Sequence, residues 1–363
     1  QSFRIMLDTL FISWNVSPSL YEGFITLRYY SLLFGVSFFL GHYLMKKMFA
    51  VENCPEEWLD KILIYTVIGT ILGARLGHVF FYDWDYYSQN LMEIPMVWKG
   101  GLASHGAAIA IIIAIWIYSK KITKKSVLWA LDKVVITVAI AACFIRIGNL
   151  MNSEIIGSKS ESKNAFFFQH DAENSIANFF DVENEAVKIE STEAVMEIDG
   201  FKYPVSNLSI DVEPSQLKNI NAYYQNFISY TKKNYESSEK HYFSFEPNQE
   251  FPKVVNNTII TRIGIIPRIP TQLLEAFSYL IIFLILFWGY WKRKWYQQQG
   301  LLFGMFLTLL FGVRFFIEFY KEHQTLDGNV TLNMGQWLSI PAVLLGIVFI
   351  FMALQKKTQN PNN

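Results

Sequence analysis

Apolar residues recur in seven runs long enough to cross a bilayer, which takes roughly 20 consecutive apolar positions: residues 25–45, 62–82, 102–119, 128–149, 271–291, 300–319 and 335–354. Lysine and arginine fall between these runs with a regular alternation. Lys46, Lys47 and Lys61 follow the first run, and Lys120, Lys121, Lys124 and Lys125 follow the third. Lys292, Arg293 and Lys294 follow the fifth, and Lys356 and Lys357 the seventh. The intervening short loops are poor in basic residues, with Lys99 in one and Lys321 in the other. Basic short loops stay on the cytoplasmic side, so the pattern predicts an N-terminus outside and a C-terminus in the cytoplasm. One missed or false helix would scramble the alternation. The expected fold is an all-α polytopic membrane protein with seven transmembrane helices.

The segment 158–258 breaks the pattern, being the one long loop, and by the same alternation it faces outside. It reads as a small α/β extracytoplasmic insert between the fourth and fifth helices. Asp199-Gly200 between VMEI and FKYPV is a hairpin signal. From Pro214 onward, Leu217, Ile220, Tyr224, Phe227 and Ile228 recur at helical spacing. The expected organisation is an outer-face arm over 1–24, helices one to four over 25–157, the insert over 158–258, and helices five to seven with a cytoplasmic tail over 259–363. No secretory signal pattern opens the chain, so insertion is expected to begin with the first span. Residue 1 is Gln rather than Met, and the numbered chain is expected to start after a removed or replaced initiator.

Composition agrees with a membrane setting. The 363 residues are 52% hydrophobic and 17% aromatic, with 31 basic side chains against 31 acidic. That balance offers no basic field for nucleic acid. Cys54 and Cys143 are the two cysteines, too few for a disulfide framework or a thiolate metal site.

The polar residues inside the runs share one depth. Arg28, Tyr29 and Tyr30 begin the first span at its outer end; Arg75 and His78 lie in the outer half of the second; His105 opens the third. Arg146, Asn149 and Asn152 close the fourth, Arg268, Gln272 and Glu275 begin the fifth, and Arg314 and Glu318 end the sixth. The cytoplasmic halves of these helices read as almost purely apolar. A charge inside a span costs on the order of 3 kcal/mol on insertion scales, so such residues usually face a polar interior. At about 1.5 Å per residue, Arg314 sits roughly 7 Å below the outer surface, close to the lipid headgroups. Several arginines there suit an anion, because the guanidinium fork donates two parallel hydrogen bonds to a phosphate. Blander readings remain: Arg314 with Glu318 as an i, i+4 pair, a snorkelling Arg75, His105 satisfying a backbone carbonyl, and Gly100, Gly101 and Gly106 easing helix packing.

The same residues carry a family resemblance. IRIGNLMNSEIIG at 145–157 resembles the signature of the prolipoprotein diacylglyceryl transferases, written around G-R-x-G-N-F-x-N-x-E-x-x-G, with Arg146, Gly148, Asn149, Asn152, Glu154 and Gly157 matching. LRYYSLLF resembles the first-helix motif, with Tyr30 its functional tyrosine, and GARLGHVFFYDW at 73–84 is similar to the second-helix motif. GGLASHGA resembles the element whose histidine is His105, RIPTQLLEA at 268–276 resembles R-H-P-S-Q-L-Y-E, VRFFIEFY at 313–320 the helix with an essential arginine and glutamate, and MGQWLSIP at 334–341 the last helix. Departures are Ile145 for the first glycine, Ile269 for His, Leu274 for Tyr, and Leu310 where a tyrosine is common.

The resemblance implies an enzyme of the bacterial inner membrane that moves the diacylglyceryl group of phosphatidylglycerol to the lipobox cysteine of a prolipoprotein, at the outer face. Our expectation is that Arg146 and Arg314 hold the phosphate, with His105 the best candidate for receiving the thiol proton. Tyr30, Asn149 and Asn152 would orient the headgroup, and Glu154 and Glu318 would fix the arginines or the glycerol hydroxyls. Arg75, Arg268, Gln272 and Glu275 would surround them, with Gly157 grouped among the substrate-binding residues. The chemistry requires no metal or cofactor. Two rival classes are a phospholipid-binding scaffold or receptor, and a transporter, which needs polar residues through the full depth.

Overall fold

The computed structural model describes every residue except 1–3, 8–9, 22, 24–25, 98–99, 102, 215, 238–241, 247–250, 322–331 and 360–363. Lys99 therefore lies outside the described residues. The chain is mostly helical: α1 (Tyr29–Val51), α2 (Glu56–Phe81), a short α3 (Trp84–Tyr87), α4 (Ser104–Tyr118), α5 (Val127–Met151), α6 (Gln169–Phe180), α7 (Ile220–Ser237), α8 (Thr271–Trp291), α9 (Leu301–Ile317) and α10 (Met334–Gln359). Among the described residues, six helices are long and apolar enough to cross a membrane: α2, α4 with its continuation to Thr123, α5, α8, α9 and α10. The first expected span exists as α1 but is less apolar, because His42, Tyr43, Lys46 and Lys47 fall inside it.

The chain forms two compact units. The first holds 1–34, 143–278 and 313–340. Here the N-terminal arm supplies β1 (Arg4–Leu7), β2 (Ile12–Asn15) and a hairpin of β3 (Ser19–Tyr21) and β4 (Leu27–Arg28); β5 (Phe166–Phe167) adds to β2 in parallel. The insert builds a larger sheet from β6 (Val187–Ile198), β7 (Phe201–Asp211), β8 (Phe243–Ser244), β9 (Lys253–Val255) and β10 (Thr258–Ile265), in the order β6-β7-β10-β8 with β9 also on β10. The sheet thus runs past residue 258, the expected end of the insert. The expected hairpin is present: Asp199 and Gly200 carry φ of 52° and 75° between β6 and β7, the two positive φ values of a type I′ turn. Tyr224, Phe227 and Ile228 form the buried face of α7. The arm is not a separate piece, because Phe11, Trp14 and Val16 lie in the same apolar core as Phe167, Leu208, Phe227 and Ile263.

The second unit holds 35–142, 279–312 and 341–363. Gly69, Gly73 and Gly77 recur every fourth residue along one face of α2. A Cβ on Gly73 would lie 2.5 Å from the Gly106 carbonyl oxygen, and one on Gly77 2.7 Å from the Gly106 Cα. These backbones therefore approach as only small residues permit. Gly100 and Gly101 do different work from helix packing: they sit at φ of 85° and 70° in the loop before α4, where residues with a Cβ are disfavoured.

The expectation that the cytoplasmic halves are apolar fails in this unit. Lys133, fully buried in α5, lies 2.8 Å from Glu52. Glu52 also accepts hydrogen bonds from Trp129 Nε1 and the Tyr290 hydroxyl. Neighbouring Asp132 accepts from the backbone N–H groups of Gly300 and Phe303, at 2.7 and 2.8 Å, which caps the start of α9. Each buried charge is paired or hydrogen-bonded, the condition under which burial is tolerated.

Candidate active site

In the first unit the polar residues of IRIGNLMNSEIIG converge with those of two distant segments. Arg146, one turn from the end of α5, places Nε 2.9 Å from Glu275 Oε2. Its Nη1 donates to Asn149 Oδ1 at 3.3 Å, and Asn149 Nδ2 donates to Glu154 Oε2 at 3.1 Å. Asn152 Nδ2 reaches Glu154 Oε1 at 3.3 Å. The asparagines, themselves uncharged, thus orient Glu154 and Arg146 through charge-assisted hydrogen bonds. Among the described residues, the Arg146 guanidinium is held by the ion pair to Glu275 and by one hydrogen bond from Nη1 to Asn149.

Three chain segments meet behind this cluster. Gly157 N–H donates to the Ile269 carbonyl, Ile269 N–H to Ser158, and Ser158 N–H to Tyr320, all within 2.9 to 3.0 Å. Gln272 Nε2 donates to the Glu154 carbonyl at 2.6 Å and Thr271 Oγ1 to the Ile155 carbonyl at 2.9 Å. Arg268, almost fully buried, reaches the Gly157 carbonyl through Nη1 at 3.4 Å. Gln272 and Arg268 therefore brace the backbone of the signature segment. Gly157 belongs with them. A Cβ there would stand 2.4 Å from the Ile269 carbonyl oxygen, so the position permits a close backbone approach. Gly157→Ala is expected to lower stability by about 1–3 kcal/mol through overpacking, read as a fall in thermal midpoint with activity lost in parallel. A full melting temperature with full activity contradicts this placement.

Arg314 lies in the last turn of α9. Its Nε is buried and has no hydrogen-bond partner among the described residues, an arrangement rare for a guanidinium unless a ligand completes it. Glu318, one turn on, pairs with Lys321 at 3.1 Å rather than with Arg314, so the i, i+4 pairing does not form. Gly335 lets the start of α10 approach Glu318, since a Cβ there would lie 2.7 Å from its carboxyl carbon. Tyr30, half-buried, lays its ring against Gly148, where a Cβ would come within 2.7 Å of Cδ2. Lys321 is a member that sequence reasoning missed. It reads as a loop cation, yet it sits 3.0 Å from Glu275 Oε1; its i, i+3 spacing from Glu318 was the available signal.

The remaining candidates lie in the second unit. All three nitrogens of Arg75 donate to backbone carbonyls: Nε to Ile94 at 2.7 Å, Nη2 to Glu93 at 2.7 Å, and Nη1 to Gly100 at 2.6 Å and Gly101 at 3.4 Å. It is 2% exposed and lies over the Tyr87 ring. Arg75 thus neither snorkels nor offers a free fork to a phosphate; it closes the loop that leads into α4. His78 Nε2 pairs with Asp83 at 2.8 Å. His105, half-buried at the start of α4, faces the rings of Phe81 and Tyr82 at 5.2 and 5.6 Å.

Six apolar membrane-length helices together with a cluster of arginines, asparagines and glutamates define a polytopic, mostly helical membrane protein with a polar site. A sequence model of the prolipoprotein diacylglyceryl transferases matches residues 18–352. The chain belongs to that family. It is 34% identical over 353 residues to a phosphatidylglycerol-prolipoprotein diacylglyceryl transferase of Porphyromonas gingivalis, covering 95% of each chain. Similar relatives of the same name occur in Chloroherpeton thalassium, 32% identical over 95% of this chain and 96% of the relative, and in Tolumonas auensis, 32% identical over 95% and 99%.

Proposed function

We propose that this chain transfers the diacylglyceryl group of phosphatidylglycerol to the lipobox cysteine thiol of prolipoproteins, releasing glycerol phosphate. The observation that carries the reading is the set of Arg146, paired with Glu275, and Arg314, whose buried Nε has no hydrogen-bond partner among the described residues. The thiolate sulfur attacks the glyceryl CH2 carbon that bears the phosphate ester. A carbon–sulfur bond forms as the carbon–oxygen bond breaks, and its electron pair leaves on the phosphate. Charge on that group therefore grows through the transition state. Preorganised donors aimed at growing charge in a water-poor site are often worth several kcal/mol; Arg146 and Arg314 have that role. Asn149, Asn152, Tyr30 and Glu154 orient the headgroup, and Glu275 and Glu318 hold the cations. Phosphatidylglycerol, the lipobox peptide and the bilayer are the partners.

The thiol, with an unperturbed pKa of about 8.5, needs modest help to ionise near neutral pH. His105 is our candidate for receiving its proton. His105→Gln enzyme is expected to lose at least about tenfold in turnover near neutral pH and to recover part of it as pH rises toward the thiol's own pKa. A pH–rate profile superimposable on wild type removes His105 from this role.

The topology proposed is seven spans with α1 as the first, the N-terminus outside and the C-terminus cytoplasmic, in the bacterial inner membrane. Lys46 and Lys47 at the end of α1 and the other basic loops support that orientation. The cluster then lies toward the outer leaflet, and the insert over 158–258 faces the same side. The whole reading is tested with purified protein, phosphatidylglycerol vesicles and a lipobox peptide. Thioether peptide and glycerol phosphate are expected in equal amounts. Lipid binding without thioether would favour the scaffold reading.

A further inference from the structure

We propose that Lys321 is a positioning residue of this transfer reaction: by neutralising Glu275 and Glu318, it leaves the positive charge of Arg146 and Arg314 for the lipid phosphate. The inference rests on the function proposed above. The Lys321 ammonium lies 3.0 Å from Glu275 Oε1 and 3.1 Å from Glu318 Oε2. Its side chain is 9% exposed, and the Glu275 side chain is fully buried. A lysine so enclosed is uncommon unless it is paired, and here two carboxylates hold it.

The arrangement divides Glu275 between two cations. Oε2 faces Arg146 Nε at 2.9 Å and Oε1 faces Lys321. Without Lys321 this fully buried carboxylate would draw more strongly on Arg146, the cation needed for the phosphate. The backbone of Lys321 is held separately, by its bridge to Gly157 and its N–H bond to the Glu318 carbonyl. Those bonds survive a side-chain substitution, so the charge can be removed without unpinning the segment.

The test measures KM for phosphatidylglycerol and kcat in full-length Lys321→Met, Lys321→Gln and Lys321→Arg, with thermal midpoints alongside. Both neutral variants are expected to raise KM by about tenfold or more, with a smaller change in kcat, since they weaken attraction of the anionic substrate. Lys321→Gln keeps a hydrogen-bond donor and should resemble Lys321→Met, because charge is the property at issue. Lys321→Arg is expected to restore KM to within about threefold of wild type. A wild-type KM in either neutral variant overturns the proposal, whatever the midpoint, and so does a fall in kcat alone. If Lys321→Met does not fold, Lys321→Gln decides. Arg314→Lys is run in the same assay: if it is inactive while the neutral Lys321 variants keep a wild-type KM, the Lys321 proposal fails and the phosphate assignment stands. If Arg314→Lys also turns over normally, the assignment itself has failed.

Discussion

Replacing Arg314 with Lys is expected to cut single-turnover thioether formation by about 10³-fold, near the upper effect of deleting one preorganised donor at a site of growing charge. Lysine keeps the charge but loses the planar fork and the Nε–H donor. That Nε is buried with no hydrogen-bond partner among the described residues, so replacing it breaks no hydrogen bond seen there. The variant should therefore keep a near-wild-type melting temperature while losing turnover. Arg146→Lys is a less clean probe, because Arg146 Nε also serves Glu275 and its removal disturbs a buried carboxylate. Near-normal turnover in folded Arg314→Lys protein would contradict the phosphate assignment.

The largest expected loss of stability lies far from this chemistry. Lys133→Met removes one partner of the buried Lys133–Glu52 pair. Breaking such a pair typically costs about 3–5 kcal/mol, because the remaining charge is stranded in a medium that solvates it poorly. Trp129 and Tyr290 would still donate to Glu52, which favours the lower end of that range. The double variant Lys133→Met, Glu52→Gln discards both charges and is expected to recover most of the loss. Equilibrium unfolding in detergent reads both, and a single variant no less stable than the double one would contradict the account.

These two residues also show where the sequence was legible and where it was not. Arg314 could be found because a charge inside an apolar run is costly and needs a reason, and the shared depth of several such charges supplied one. Lys133 lies in an equally apolar run beside Asp132, yet it was passed over in reading the sequence. Its partner Glu52 is about 80 residues away, and no local spacing connects them. Asp199-Gly200 was readable because turn chemistry is local to two residues. The setting of Arg75 was not legible: its acceptors are carbonyls of residues 93–101, and carbonyls leave no trace in side-chain patterns. Lys321 was hidden by position, since a cation just past a span normally reads as a solvated loop residue. The N-terminal arm joined the core of the insert through Phe11 and Trp14, a contact that depends on tertiary closure rather than on any periodicity.

The central claim is that Arg146 and Arg314 hold the phosphate of the lipid donor. The most direct measurement is a structure of this protein, uncleaved and with His105 replaced by Gln to slow turnover, bound to phosphatidylglycerol in a lipid disc. The account predicts phosphate oxygens at charge-assisted hydrogen-bond distance, about 2.7–2.9 Å, from both guanidinium groups, with Arg314 Nε among the donors. A headgroup seated elsewhere, with Arg314 Nε still unpartnered, would contradict it.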